Sequence, residues 1–207
     1  MENKAVKPLA KSTSTKTRAR PVAARTQLAP DRWIDVAIDV LAKEGVTGLR
    51  VEVLAKRCGV TKGSFYWHFK DRQALLDAVL EHWKAGRIRD IEKTTSVAPG
   101  CEHNQLLHAI EVYGASRNRK GMSIELAVRD WARHDPHAAA FVEAVDLYRL
   151  ECTRKLFVAA GMSDAEAKSR SLLLYACVFG LSLMHYSGFD NNIADLKQRI
   201  TERIVSA

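Results

Sequence analysis

A run of hydroxyl, basic and aromatic residues lies in the N-terminal half of the chain and reads V-E-V-L-A-K-R-C-G-V-T-K-G-S-F-Y-W-H-F over residues 51–69. Two short amphipathic segments flank a three-residue turn with Gly59 at its centre. Gly59 tolerates the positive φ that such a turn needs, and Ala55 is small where the two segments would cross. This layout predicts a helix-turn-helix.

The second segment, from Thr61 to about His68, carries groups that are suited to binding DNA. The free N–H groups at its start favour phosphate, and Lys62 can reach guanine O6 and N7 in the major groove. Tyr66 can donate to phosphate oxygens on the groove wall. The predicted DNA-binding residues are Arg50, Thr61, Lys62, Gly63, Ser64, Tyr66, Trp67, His68, Lys70 and Arg72.

The positive charge of the chain is concentrated at its N-terminal end. The 207 residues carry a net charge of +8, of which residues 1–30 hold +6, residues 31–90 hold +2 and residues 91–207 hold none. Such a gradient predicts a polyanion-binding end on a neutral body. Nucleic acid, an anionic membrane surface and an acidic protein all remain candidate polyanions at this point.

Composition narrows the class of protein. Hydrophobic residues make up 47% and charged residues 27%, which excludes fibrous and wholly disordered classes. The longest apolar stretch, Leu172–Met184, is shorter than the roughly 20 residues that a membrane-spanning helix needs. No secretory signal is evident, and the four cysteines are widely spaced. We therefore expect a cytoplasmic protein with reduced thiols and no membrane partner.

Hydrophobic spacing of three and four residues predicts an all-α fold. Asp31, Asp71, Asp135 and Ser163 are expected to cap helices, and Gly45 is expected to end the first one. The predicted architecture is an N-terminal three-helix DNA-binding unit with a helix-turn-helix, followed by a C-terminal helical bundle. The predicted helices cover residues 31–44, 51–57, 61–68, 71–93, 103–118, 122–133, 136–159, 163–187 and 192–205.

The sequence G-V-T-K-G-S-F-Y-W-H-F-K-D-R-Q-A-L-L-D-A-V, residues 59–79, resembles the signature of TetR-type transcriptional regulators. The resemblance covers about residues 27–87 and includes the His68–Phe69 pair and the run that begins at Asp71. It departs from the family at Arg72, where lysine is usual, and in an arm of about 30 residues before the first helix, which is longer than is typical.

This resemblance implies an all-helical homodimer that controls transcription, most often by repression, in response to a small molecule. It implies double-stranded operator DNA as a partner and no enzymatic activity, metal or cofactor. The expected division is a basic arm at 1–26, a DNA-binding domain at 27–87 and an effector-binding and dimerisation domain at 88–207. An activator of the same fold remains an alternative, as does a small-molecule-binding bundle whose basic arm is incidental.

The predicted helix 163–187 is apolar on nearly every face and must be buried on two sides. A dimer can supply the second side, so we expect this helix and helix 192–205 to form the subunit interface. An internal core helix is the alternative. The predicted dimerisation residues are Leu172, Tyr175, Ala176, Phe179, Gly180 and Leu183.

Residues with an apolar body and a polar tip are candidates for the effector site. They are Trp83, His108, Tyr113, Trp131, Tyr148 and His185, although for each of them taken singly an ordinary core or surface position is favoured. We find no charged pair in the body that would specify the effector, so an apolar or aromatic molecule is the expectation.

No residue pattern predicts catalysis or metal binding. Cys101, His103 and His108 lack the spacing of a zinc site, and neither a nucleophile motif nor a phosphate-binding loop is present. Cys58 lies within the helix-turn-helix and is expected to be a small core residue.

Overall fold

A computed structural model describes residues 29–96, 101, 104–108 and 119–206, and all regular structure within them is helical. The predicted arm at 1–26 and most of the predicted helix 103–118 lie outside the described residues, although residues 104–108 are helical. The helices are α1 Pro30–Glu44, α2 Val51–Cys58, α3 Lys62–Phe65, α4 Arg72–Thr95, α5 Arg119–Ala132, α6 Pro136–Ala159, α7 Asp164–Leu183 and α8 Ile193–Val205, with a 3₁₀ turn at Val46–Gly48. The all-α prediction is confirmed.

Helix α1 begins differently from the prediction. Its N-cap is Ala29, Pro30 occupies the first turn, and no side chain caps the helix, so the predicted cap by Asp31 is wrong. Proline suits this position because its missing N–H would have no partner inside the helix. Asp31 lies in the first turn, where its charge is favourable beside the helix N-terminus. Gly45, at φ 69°, ends the helix as expected.

The helix-turn-helix forms between α2 and α3. Gly59 has the left-handed conformation, with φ 70° and ψ 27°, and the next N–H, that of Val60, donates to the Ala55 carbonyl at 3.0 Å. Helix α3 is shorter than the predicted segment 61–68, because it ends at Phe65. The N–H groups of His68 and Phe69 both donate to the Phe65 carbonyl, which turns the chain towards α4.

Three of the predicted caps are confirmed. The Asp71 carboxylate accepts from the Ala74 N–H at 2.8 Å, and the Asp135 carboxylate accepts from the N–H groups of the first turn of α6. The Ser163 hydroxyl accepts from the Glu166 N–H at 3.3 Å. These caps satisfy N–H groups that have no partner within the helix.

Two hydrophobic cores hold the described residues together. The first core surrounds α1 to α4 and continues into α5 and the first half of α6, through Val128, Trp131, Ala138 and Val145. Helix α1 packs on α5, and α4 packs on α6. The second core joins α7 and α8 to the second half of α6, through residues that include Phe157, Leu174 and Ile204. The first core therefore crosses the domain boundary that we expected near residue 87.

Helix α7 ends at Leu183, four residues before the predicted end, so His185 and Tyr186 lie outside it. Its inner side buries Leu174, Tyr175 and Val178. Its outer side is exposed, with 62% of Leu172 and 64% of Leu183 accessible to solvent. No described helix is both long enough and apolar enough to cross a membrane.

Candidate nucleic-acid interface

Phe65 anchors α3 to the first core. Its side chain is fully buried, with the Trp33 ring edge-on at 5.4 Å and the Phe69 ring stacked at 5.3 Å. Leu54 of α2 is also fully buried. Burial of an aromatic ring stabilises a fold by several kcal/mol, about 3–5 on truncation to alanine. This anchoring fixes which side of α3 faces away from the protein.

The two aromatic residues that follow Phe65 point outwards. Tyr66 is 60% exposed and Trp67 is 76% exposed. They follow α3 directly in the chain, and the Tyr66 and Phe65 rings are perpendicular with their centres 5.2 Å apart. Large exposed aromatic surface indicates a binding site, because water solvates it poorly.

The start of α3 presents small and basic groups. Thr61, Lys62 and Gly63 are exposed, and Ser64 is half-buried. Thr61 occupies the N-cap position, but its hydroxyl does not cap the helix. The Lys62 ammonium forms an ion pair with the Glu52 carboxylate of α2. Glu52 is not among the predicted DNA-binding residues, although an acid two residues after Arg50 is visible in the sequence.

Arg72 is engaged in the protein itself. Its Nε donates to the Leu49 carbonyl at 2.6 Å, and its Nη2 donates to the Val46 carbonyl at 3.1 Å. These bonds tie the start of α4 to the segment that leads into α2. We predicted a phosphate contact for Arg72, whereas two of its donors hold the helix-turn-helix in place.

The remaining predicted residues differ in their access to solvent. Lys70 and Arg50 are exposed. His68 is half-buried, and its Nε2 is shielded from solvent and has no hydrogen-bond partner among the described residues. A phosphate contact of His68 would have to use its other edge. Burial raises the pKa of the nearby Cys58 thiol, which is the behaviour of a core cysteine.

The predicted effector residues do not form one cluster. Trp83 and Trp131 are 4% exposed and belong to the first core, and the Trp131 indole donates to Asp135 at 2.8 Å. The Tyr148 hydroxyl donates to Glu92 at 2.9 Å, which raises the pKa of Tyr148 to about 12. His108 and His185 are exposed, and Tyr113 lies outside the described residues.

The body contains a charged cluster that we did not expect. One oxygen of Glu125 accepts from Arg129 at 2.8 Å and from Arg149 at 3.2 Å, and Asp146 accepts from both arginines. Glu125 and Arg149 are 2% exposed, and the Arg129 guanidinium lies 4.0 Å from the centre of the Phe179 ring. We expected no charged pair in the body that would specify the effector, and this cluster is an ion-pair network buried between α5 and α6. The spacing of Glu125 from Arg129 and of Asp146 from Arg149 was a signal in the sequence.

An open groove of about 400 Å³ lies beside this cluster, between α5 and α6. None of the predicted effector residues lines it. Its lining consists of Arg129, Ala132, Arg133, Ala139, Val142, Glu143, Asp146 and Leu147.

The predicted dimerisation residues separate into two groups. Leu172, Ala176 and Leu183 are exposed on the outer side of α7, and nothing lies within 4 Å of where a Cβ on Gly180 would stand. Tyr175 is 5% exposed, and its hydroxyl lies 2.9 Å from that of Thr153 inside the protomer. Phe179 is half-buried against the arginines. Tyr175 therefore belongs to the protomer's own core and not to its outer surface.

Comparisons with known proteins agree with this geometry. Residues 34–79 match the family described as bacterial regulatory proteins, tetR family. The chain is 29% identical over 163 residues to the tetracycline repressor protein class A of Escherichia coli, a match that covers 79% of this chain and 69% of that repressor. It is 39% identical over 62 residues to the regulator SrpR of Pseudomonas putida, which covers 30% of this chain and 29% of SrpR.

Solved structures share the whole fold. A transcriptional regulator from Rhodococcus sp. Rha1 superposes with a TM-score of 0.69 at 19% identity, over 86% of this chain and 94% of that one. The fold and the helix-turn-helix thus define a DNA-binding transcription regulator, a class of protein that is not enzymatic. Within that class, these matches make the chain similar to TetR-type regulators, most directly over residues 34–79.

Proposed function

We propose that this protein is a repressor that binds operator DNA through α3 and is released by a small molecule. The choice of this surface as the DNA-binding surface rests on one observation: Phe65 is fully buried, whereas the adjacent Tyr66 and Trp67 are 60% and 76% exposed. In this proposal Thr61, Lys62, Gly63 and Ser64 face the major groove, and the two aromatic residues with Lys70 and Arg50 contact the backbone on either side. Arg72 supports the motif, because two of its donors bind carbonyl groups of the protein. A phosphate contact of His68 would use the edge away from its shielded Nε2.

Fluorescence anisotropy with a labelled duplex from upstream of the protein's own gene tests the interface. We expect Tyr66→Ala to weaken binding about fivefold to tenfold, the effect of one lost polar contact. Lys70→Ala should weaken operator and scrambled duplex alike and lower the salt slope by about one. Lys155→Ala, an exposed lysine of α6, is the matched control. If neither substitution changes the affinity for the operator duplex, this surface is not the DNA-binding surface.

The proposed dimer uses the outer side of α7. The exposed side chains of Leu172 and Leu183 flank Ala176 and Gly180, whose small size permits close approach of a partner helix. Helix α8, which packs on α7, completes the interface. A two-fold axis there would present two copies of α3 to successive major grooves, about 34 Å apart.

Sedimentation measurements test this dimer. Leu172→Glu should give a monomer that loses operator binding, because a buried carboxylate without a partner is costly. Ala165→Glu adds the same charge to the exposed first turn of α7 and should remain dimeric. A Leu172→Glu protein with wild-type sedimentation would place the interface elsewhere.

The ligand response is proposed to run through α4. This helix starts next to Lys70 and packs along α6, so a molecule bound in the body can change the separation of the two DNA-binding units. Trp83, Trp131 and Tyr148 remain the proposed contacts of an apolar or aromatic effector, because they lie on the three helices that would transmit the change. Tetracycline, after which one relative is named, is the first probe; a protein–DNA complex that persists at saturating tetracycline would exclude it.

Repression itself is tested in cells with a reporter placed behind the upstream DNA. Deletion of the gene should raise expression if the protein is a repressor, and lower it if the protein is an activator of the same fold. A helical bundle with an incidental basic arm would bind no duplex above a salt-sensitive background. Deletion of residues 1–26, the proposed arm, should preserve dimerisation and weaken DNA binding at low salt.

A further inference from the structure

The ion pair between Glu52 and Lys62 joins the two helices of the helix-turn-helix on its solvent side. Both side chains are more than half exposed, 59% for Glu52 and 56% for Lys62. The hydrogen bond from Lys62 lowers the pKa of the Glu52 carboxyl, so the group is ionised at neutral pH. A carboxylate on this side is unexpected, since DNA phosphates would repel it.

Local structure explains only part of this arrangement. Glu52 lies in the first turn of α2, where an acid interacts favourably with the helix N-terminus. That effect does not require Lys62, which lies ten residues away across the turn. An exposed ion pair also adds little stability, because water screens it. The pairing therefore needs a reason in what the motif binds.

The major-groove edge of a G·C pair offers that reason. Guanine presents two neighbouring acceptors, N7 and O6, and cytosine presents the N4 donor. Cytosine N4 donates a hydrogen bond to guanine O6, so these two atoms lie about 2.9 Å apart. A lysine ammonium in contact with a carboxylate presents the complementary donor and acceptor at a comparable separation. In an A·T pair the adenine N6 donor separates the two acceptors, adenine N7 and thymine O4, so one ammonium has no two adjacent acceptors, and the thymine methyl lies beside O4.

We infer that Glu52 and Lys62 read one G·C base pair in each half-site, with Lys62 donating to guanine and Glu52 accepting from cytosine N4. Glu52 is then a specificity-determining residue. It lowers affinity for DNA in general through its charge and restores that affinity only where a cytosine donor meets it. This inference rests on the proposed function, because it requires α3 in the major groove.

Selection from a library of random-sequence duplexes tests the inference. The wild-type protein is compared with Glu52→Ala and Lys62→Met, and the selected positions are then measured by anisotropy against all four base pairs and a scrambled duplex. Glu44→Ala is the matched control, because Glu44 forms a similar exposed ion pair with Arg57 in the same unit. Circular dichroism confirms that each variant is folded.

We expect the wild type and Glu44→Ala to select one G·C pair per half-site, preferred about tenfold or more over other pairs. In Glu52→Ala this preference should fall to about threefold or less, while affinity for the scrambled duplex rises about threefold as one negative charge is removed. Lys62→Met should lose the preference and weaken binding to both duplexes.

Two results would overturn the inference. The first is a Glu52→Ala protein that keeps the wild-type preference for the G·C pair. The second is a wild-type protein whose selected site has no G·C preference that is lost in Lys62→Met. A wild-type protein that enriches no sequence at all would instead contradict the proposed function. The wild-type selection therefore separates the two failures before any variant is examined.

Discussion

The two hydrophobic cores differ in how completely a single protomer closes them. The first core buries Trp33, Phe65 and Leu80 completely, and the large exposed apolar side chains beside it are Tyr66 and Trp67 after α3 and Leu147 of α6. The second core leaves leucines on the outer side of α7, with Leu172 62% exposed and Leu173 50% exposed. The DNA-binding unit is thus complete within one chain, whereas α7 retains an apolar face that a partner would cover.

The first core also extends further than the domain it was expected to define. Trp131 of α5 and Val145 of α6 belong to the same core as Leu54 of α2. A rearrangement of α5 or α6 must therefore also displace the helix-turn-helix, because close-packed interiors transmit small displacements. This continuity gives the proposed ligand response a direct physical route.

The largest expected effect comes from truncating one phenylalanine in each core. Phe65 and Phe157 are both fully buried, and each change to alanine should lower the free energy of unfolding by about 4 kcal/mol. Urea unfolding followed by tryptophan fluorescence and by circular dichroism measures the loss. If the two cores are independent, Phe157→Ala leaves unchanged the fluorescence transition of the first core, which contains Trp33, Trp83 and Trp131. A single transition that shifts in both variants would show that the cores unfold together.

The second-largest loss of stability should come from disrupting the buried charge cluster. Arg149→Met removes a partner from the buried Glu125 carboxylate, and we expect a loss of about 3 kcal/mol. Arg154→Met breaks ion pairs with Glu151 and Asp164 at the surface of the same helix and should have a much smaller effect. Equal losses in the two variants would contradict the view that burial makes the cluster important.

A smaller effect is expected at the tie between α4 and the helix-turn-helix. Arg72→Met removes two hydrogen bonds to the carbonyls of Leu49 and Val46, which should lower stability by about 1.5 kcal/mol. If Arg72 only positions the motif, the salt slope of DNA binding stays unchanged while affinity falls. A slope reduced by about one, as expected for Lys70→Ala, would identify Arg72 as a phosphate contact.

The smallest effect should come from the cap that joins α5 to α6. Asp135→Ala removes the cap and the bond from Trp131, at a cost of about 1 kcal/mol. The Trp131 hydrogen bond lowers the pKa of Asp135 below 3.8, so the contribution is complete above that pH and disappears as the pH falls through the lowered value. Unfolding at pH 7 and near pH 3 should therefore show a difference from wild type that shrinks with acid. If the difference in the free energy of unfolding is the same at both pH values, the loss in Asp135→Ala comes from packing and not from the charge of the carboxylate.

Contiguous residues determined much of this fold. Gly59 and Gly45 ended their helices, and Asp71, Asp135 and Ser163 capped theirs, because these signals act within four residues of one another. The helix-turn-helix followed from the same kind of local pattern, which is why residues 51–69 predicted it. The end of α3 did not follow, because its last turn is set by the burial of Phe65 against Trp33 of α1 and against Phe69.

Only the tertiary structure decided which partners meet across longer stretches of chain. Helix α7 is apolar on nearly every side, so no asymmetry in its sequence could tell that Tyr175 points inwards and Leu172 outwards. The contacts of Arg72 with Val46 and of Arg149 with Glu125 join residues more than twenty positions apart. Such contacts depend on how each helix is oriented about its own axis when it packs against its neighbours, and the local spacing of residues does not determine that orientation.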